Sequence, residues 1–187
     1  MKQNRVVTGV SVLGLAGRPD AWGTDLGMRA FAEFDRRLAH HSEGSFVLID
    51  YSGMDVSDVS FQREAVVEIL RKHRPGLLFV ATAIEDPDLR ANLDLALEKR
   101  GESLLVKNED TAVEVIGKRL HAEQWATLQA VSQAGEMTSA GLRERFDGLE
   151  LSTAANRLSG LWKAGLVERM AGTAATGGRE HRYYPIV

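Results

Sequence analysis

The sequence predicts an α/β domain followed by a smaller, mainly α-helical domain that closes on a β-hairpin. Three observations carry this expectation. Residues 5–117 alternate between short apolar or β-branched runs and segments with helical spacing, the pattern of a sheet packed by helices. After Leu120 the strand signals vanish and three amphipathic helical segments follow one another. The last of these stops at Gly165 and gives way to two short strand-like runs around a loop of small residues. The 187 residues are comfortable for two domains, divided as 1–119 and 120–187.

Taken in order, "RVVTGVSVLGL" is β-branched and bounded by "AGRPD". The stretch "MKQNRVVTGVSVLGLAGRPD" has a basic start and an apolar middle that faintly echo a secretory leader, but its Val-rich, Gly-punctuated run reads as a strand. "TDLGMRAFAEFDRRLAHH" places Leu26, Ala30, Phe31, Phe34 and Leu38 at helical spacing, with Thr24 as N-cap. "SFVLIDY" is an apolar run of the kind buried in a sheet centre. "SDVSFQREAVVEILRKH" turns Phe61, Ala65, Val66, Ile69 and Leu70 inward as one helix, and "GLLFVATA" is another buried strand. "DPDLRANLDLALEKRG" opens with Asp86 as cap and Pro87 at the first helical position, and Gly101 follows its end. "SLLVKN" predicts a strand and "EDTAVEVIGKRL" a final short helix. In the second domain "AEQWATLQAVSQAG" is a helix ending at Gly135. "TSAGLRERF" is a second, capped by Thr138, and "STAANRLSGLWKAG" a third, capped by Ser152.

Composition narrows the function. Apolar residues make up 44% and charged residues 26%, an ordinary globular balance. The absence of cysteine excludes a disulfide framework and thiolate metal sites, and fits a reducing cytoplasm. Runs such as "GLLFVATAI" fall far short of the roughly 20 residues a membrane helix needs, so no membrane partner is expected. The net charge of −3 is uneven. Residues 1–120 hold 16 Lys/Arg against 19 Asp/Glu, and residues 121–150 hold 2 against 5. Residues 151–187 hold 5 against 2, a local basic surface of the kind a polyanion requires.

On a helical wheel Leu151, Ala154, Leu158, Leu161 and Gly165 share one side of the third helix and face the core. Thr153, Asn156, Gly160 and Lys163 fall opposite, flanked by Ser152, Arg157 and Ser159. This outer face is small, polar and basic, so it can approach base edges. Asn pairs with adenine through two hydrogen bonds, Thr meets a thymine methyl, and Arg and Lys hold phosphate or guanine. The helix N-terminus offers free N–H groups to phosphate.

"TSAGLRERF", "STAANRLSGLWKAGLVERM" and "GGREHRYYPIV" together resemble the winged helix-turn-helix domains of bacterial repressors over about 50 residues. The resemblance implies double-stranded DNA as partner, read by Ser152, Thr153, Asn156, Arg157, Ser159 and Lys163. One departure is that the wing tip "AGTAATGG" carries no basic side chain before Arg179, which assigns phosphate contact to Arg179 and Arg182. Trp125 and Trp162 are expected in a core or an interface.

In the first domain Gly14, Gly17, Gly23 and Gly27 match neither a dinucleotide fingerprint nor a Lys-bearing phosphate loop, so no nucleotide cofactor is expected. His40, His41, His73 and His121 are expected on the solvated surface, not on a metal. Asp50, Asp55 and Asp58, with Thr82 and Lys107 downstream, leave a receiver-type phosphoacceptor pocket as an alternative. "SFVLIDYSGMDVSDVSFQREAVVEIL" is similar to the STAS family, named for sulphate transporters and anti-sigma-factor antagonists. Asp50 to Ser52 matches its Asp-x-Ser step, and Ser57, Ser60 and Phe61 its helix start. The resemblance implies a mixed sheet with helices over residues 5–117, a protein partner, and Ser60 as the regulatory phosphosite. The Gly-Leu that follows this serine in the family is Phe61-Gln62 here.

The expectation is therefore a cytoplasmic, sequence-specific transcriptional regulator of repressor type, without a cofactor and without enzymatic activity. Its α/β domain serves signalling, partner contact or dimerisation. The alternative is an anti-sigma-antagonist-like switch whose winged helix binds protein. A homodimer on an inverted repeat is expected, through Trp125, Leu128 and Val131 with Ala126 and Ala130 beside them, or through a surface around Phe31, Phe34 and the first strand.

Overall fold

The computed structural model describes residues 7–107, 113–173 and 177–187. The chain divides into two compact units, residues 1–119 and 120–187.

The first unit is mixed α/β. β1 (Val7–Ser11) leads into α1 (Val12–Ala16), β2 (Asp20–Ala21) and α2 (Thr24–Leu38). β3 (Phe46–Asp50) and β4 (Val56–Ser57) precede a continuous helix in three parts: α3 (Val59–Gln62), a π-helical turn (Arg63–Val67) and α4 (Glu68–His73). β5 (Leu78–Thr82), α5 (Pro87–Arg100), β6 (Ser103–Val106) and β7 (Glu114–Gly117) complete it. The sheet runs β1-β3-β5-β6-β7, parallel except for β7, which is antiparallel to β6. Strands that follow chain order with right-handed crossovers keep their helices on one face. Accordingly α2, the α3–α4 helix and α5 pack side by side, over Val10, Val47, Ile49, Phe79, Ala81 and Leu104. Leu78, Val80 and Leu105 alternate with that set and are also buried, which is why these strands read as continuous apolar runs.

Local chemistry explains where the elements differ from expectation. The first run is not one strand: the Ser11 hydroxyl accepts the Gly14 N–H at 3.1 Å and starts α1, which Gly17 ends at φ 72°. Gly23, not Thr24, stands at the N-cap of α2, and its N–H donates to Asp58 Oδ1 at 3.0 Å. The same carboxylate oxygen accepts the Phe61 N–H at 2.7 Å, so Asp58 caps α3. The helix through Phe61 buries the expected residues and adds Val67, because the π-helical turn inserts one extra position. The final helix expected at "EDTAVEVIGKRL" is contradicted. Residues 114–117 form β7, whose Val115 and Ile116 pair with Leu105 and Leu104, while residues 108–112 lie outside the described residues. Strand pairing with β6 satisfies the backbone of this β-branched stretch better than four helical residues at a sheet edge can. The expected α5 forms from Pro87, with Asp86 accepting from the N–H groups of Asp88 and Leu89 and Gly101 at φ 70°.

A buried polar chain crosses this unit. The Tyr51 hydroxyl donates to Gln62 Oε1 at 2.7 Å, and Gln62 Nε2 donates to the Ser57 hydroxyl. Burial pushes the Tyr51 phenol upward, partly opposed by its bond to Gln62.

The second unit contains α6 (Ala122–Ala134), α7 (Ser139–Arg145) and α8 (Leu151–Lys163), followed by the antiparallel pair β8 (Val167–Thr173) and β9 (Arg179–Pro185). Leu128, Val131, Leu142, Ala154, Leu158, Leu161, Val167 and Tyr183 are buried. Thr138 accepts the Gly141 N–H and starts α7, and Gly135 ends α6 at φ 72°. The cap expected from Ser152 is not found: Glu150 occupies the N-cap without a side-chain bond, and Ser152 sits in the first turn. Leu151 is 46% exposed, since it precedes the part of α8 that meets the core.

Candidate nucleic-acid interface

The second unit presents α8 by burying one stripe of it. Ala154, Leu158 and Leu161 are buried, and at 3.6 residues per turn this leaves Ser152, Thr153, Asn156 and Lys163 exposed along the other side. Ser159 and Gly160 are half-buried between them, and a Cβ built on Gly160 meets nothing within 4 Å. The exposed line therefore has a shallow gap between Asn156 and Lys163, flanked by hydroxyl and amide groups.

The basic residues divide into two groups. Arg157, with a side chain 21% exposed, turns back to Glu123 of α6, its Nη2 at 3.5 Å from the carboxylate. Arg169 lies over the Trp162 ring at 3.2 Å from the centroid and locks β8 to α8. Arg182 donates from Nη1 to Glu136 at 2.9 Å and from Nη2 to the Thr173 carbonyl at 3.3 Å. By contrast Lys163 and Arg179 are exposed, with no side-chain partner among the described residues. Arg143 on α7 is a third cation of this kind, and sequence reasoning passed over it although "TSAGLRERF" displays it openly.

The hairpin register sorts its residues by face. Arg179, His181 and Tyr183 share a face with Thr173, Ala171 and Arg169, while Glu180, Arg182 and Tyr184 share the other with Gly172 and Met170. The Arg169–Trp162 contact and the buried Tyr183 mark the first of these as the face toward α8. Arg179 and Arg182, grouped by the sequence, thus point to opposite sides of the hairpin. The tip residues 174–176 of "AGTAATGG" lie outside the described residues. Electrostatically the unit is balanced, with seven Lys/Arg and seven Asp/Glu in residues 120–187, and Glu144, Asp147 and Glu150 sit just before α8.

Trp162 is half-buried beneath Arg169, whereas Trp125 is 41% exposed on α6, with Leu128 and Val131 buried. Phe34 is fully buried in the core of the first unit, so it offers no surface for a partner.

Of the other sequence candidates in the first unit, Asp50, Thr82 and Lys107 come together at the ends of the neighbouring strands β3, β5 and β6. Asp50 and Thr82 stand side by side in β3 and β5, and the Lys107 N–H reaches the Ala81 carbonyl. Asp50 Oδ1 accepts from the Ser52 N–H and hydroxyl, Asp58 is spent on capping, and Asp55 is exposed. Ser60 is half-buried in the first turn of α3, two residues after the capping Asp58. The solvated reading of His41 and His73 is corrected. His41 Nε2 bonds to the Thr8 hydroxyl, and His73 Nε2 lies 2.8 Å from Asp35 Oδ1. Lys72 and then His73 hold the Asp35 carboxyl below the usual carboxylate range. Among the described residues no group of three or more His, Cys, Asp or Glu is arranged to hold a metal ion, and no helix is long and apolar enough to cross a membrane. Comparison with protein-family profiles, with curated proteins and with solved structures finds no match to the chain.

Proposed function

We propose that the chain is a sequence-specific DNA-binding regulator. Residues 120–187 act as a winged helix-turn-helix reader, and the preceding α/β unit acts as a STAS-like partner or self-association module. The observation that carries this reading is the exposed side of α8. Thr153, Asn156 and Lys163 stand free of the core on a helix buried along its opposite stripe, beside a two-stranded hairpin with Arg179 on the facing side. Such a surface supplies an amide for a base edge, a methyl for thymine and cations for phosphate, with no bulky apolar group between them. Support for the STAS-like reading is coarser: a mixed sheet in chain order with its helices on one face.

A docking module for protein is the second reading, favoured by one specific observation. The charge of residues 120–187 is balanced, and two arginines of the α8 and hairpin region are already paired with Glu123 and Glu136. Selection of duplexes from a randomised pool by the full chain separates the two. Enrichment of a defined motif supports the DNA reader, and no enrichment at low salt supports the protein module. The homodimer belongs to the first reading and is checked by light scattering at micromolar concentration.

A further inference from the structure

We infer that Glu136, Arg182 and Tyr184 form the element that positions the hairpin, and that Arg182 influences binding by holding the hairpin, without touching a ligand. Its consequence for DNA rests on the function proposed above, while its consequence for the hairpin does not.

Glu136 lies in the turn between α6 and α7, and its neighbour Met137 exchanges both main-chain hydrogen bonds with Tyr183, each at 2.8 Å. On either side of that bridge β9 offers one side chain to the same carboxylate. Arg182 Nη1 donates to Oε1 at 2.9 Å and the Tyr184 hydroxyl donates to Oε2 at 2.9 Å. Partial burial, and then the carboxylate itself, raise the Tyr184 phenol, so the donor keeps its proton. One acid on the helical body thus grips two alternate residues of the strand.

Arg182 is also enclosed from behind. Its stem lies on Gly172 of the facing strand, where a Cβ would come within 2.8 Å of Nε and 3.1 Å of Cδ. Nη2 reaches the Thr173 carbonyl, and Nε is buried without a partner. A glycine at 172 is what allows the arginine to lie flat across the hairpin. The hairpin face that carries Arg182 is the one turned away from α8, so a duplex lying along α8 meets Arg179 and His181 before it meets Arg182. Position, pairing and enclosure together make Arg182 a strut.

The test uses the full chain with Glu136→Ala, Arg182→Met, and the exchanged pair Glu136→Arg with Arg182→Glu. The first readout needs no DNA. Amide exchange at Tyr183 and Met137 is expected to speed up by about fivefold in each single variant, the value of one partly exposed ion pair, and to slow again in the exchanged pair. Unchanged exchange in the single variants overturns the inference. The second readout is affinity for the selected duplex across a salt series. Each single variant is expected to weaken binding by about fivefold with the salt slope intact, and the exchanged pair to recover most of the loss. Tighter binding by Glu136→Ala, together with a slope reduced by about 0.9 per half-site in Arg182→Met, overturns the inference because it marks a direct phosphate contact. If the wild type selects no duplex, the DNA reading alone fails and amide exchange decides the positioning role.

Discussion

Replacing Lys163 with Ala tests the charge assignment quantitatively. Lys163, Arg179 and Arg143 are the exposed cations of the second unit without a side-chain partner among the described residues. Arg157 and Arg182 are occupied by glutamates. A cation that neutralises one phosphate contributes about 0.9 to the slope of log affinity against log salt. Three such contacts on a single half-site give a slope of about 2.7, so binding of one subunit falls about 40-fold between 50 and 200 mM salt. Without Lys163 the slope drops to about 1.8 and the loss to about 12-fold. Arg157→Ala serves as the internal comparison: with Glu123 beside it, this arginine releases few counterions, and its removal moves the slope by much less than 0.9. Fluorescence anisotropy of a labelled duplex carrying one half-site, at five salt concentrations, reads both slopes. An unchanged slope for Lys163→Ala, or a larger change for Arg157→Ala, refutes the partition into free and paired cations.

Asn156→Ala costs about 1–3 kcal/mol on the selected site and much less on unrelated duplex, measured by competition; equal losses on both assign Asn156 to the backbone. Gly160→Ala raises thermal stability by up to about 1 kcal/mol, since its Cβ meets nothing within 4 Å in a helix interior, yet weakens duplex binding by filling the gap on the exposed face. Gains in both measurements would separate Gly160 from the interface. Gly27→Ala destabilises by about 1–3 kcal/mol in denaturant unfolding, because its Cβ would stand 2.8 Å from the Glu64 Cβ and 3.0 Å from the Phe61 carbonyl oxygen. Tyr51 has its pKa raised above the ordinary value of 10.0, so the stability it contributes is full below pH 10 and is lost as pH rises through the folded value. Tyr51→Phe loses about 1–2 kcal/mol at neutral pH by leaving Gln62 Oε1 without its donor. Its stability then declines less steeply above pH 10, and parallel alkaline curves for the two proteins contradict the assignment.

Elements whose ends are set by local chemistry were legible in the sequence. Asp86 with Pro87 and Gly101 frame α5, and Thr138 and Gly135 frame α7 and α6, because caps and left-handed glycines act within a few residues of where they stand. The inward set from Phe61 to Leu70 was legible from spacing, although the π-helical turn that adds Val67 was not. β7 was missed because its β-branched pair Val115-Ile116 is too short to outweigh the helical spacing read across the whole segment, and its pairing with β6 is not visible in the sequence. Ser11 was hidden inside a β-branched run, where nothing but the Gly14 N–H reveals a cap. In the candidate site the exposed side of α8 followed from helical spacing, whereas the charge state of the site did not. Arg182 takes its partner 46 residues away at Glu136, and the hairpin register that separates it from Arg179 is a property of strand pairing. Counting basic residues after Leu151 therefore gave a more basic surface than the folded unit displays.

The central claim is that the exposed side of α8 reads duplex sequence, and selection from a randomised duplex pool tests it most directly. The wild-type chain is expected to enrich an inverted repeat with half-sites about one helical turn apart, and the Asn156→Ala chain to lose preference at one position in each half. Recovery of unselected sequence by the wild type at low salt, with retained capture of a protein partner, would contradict the account.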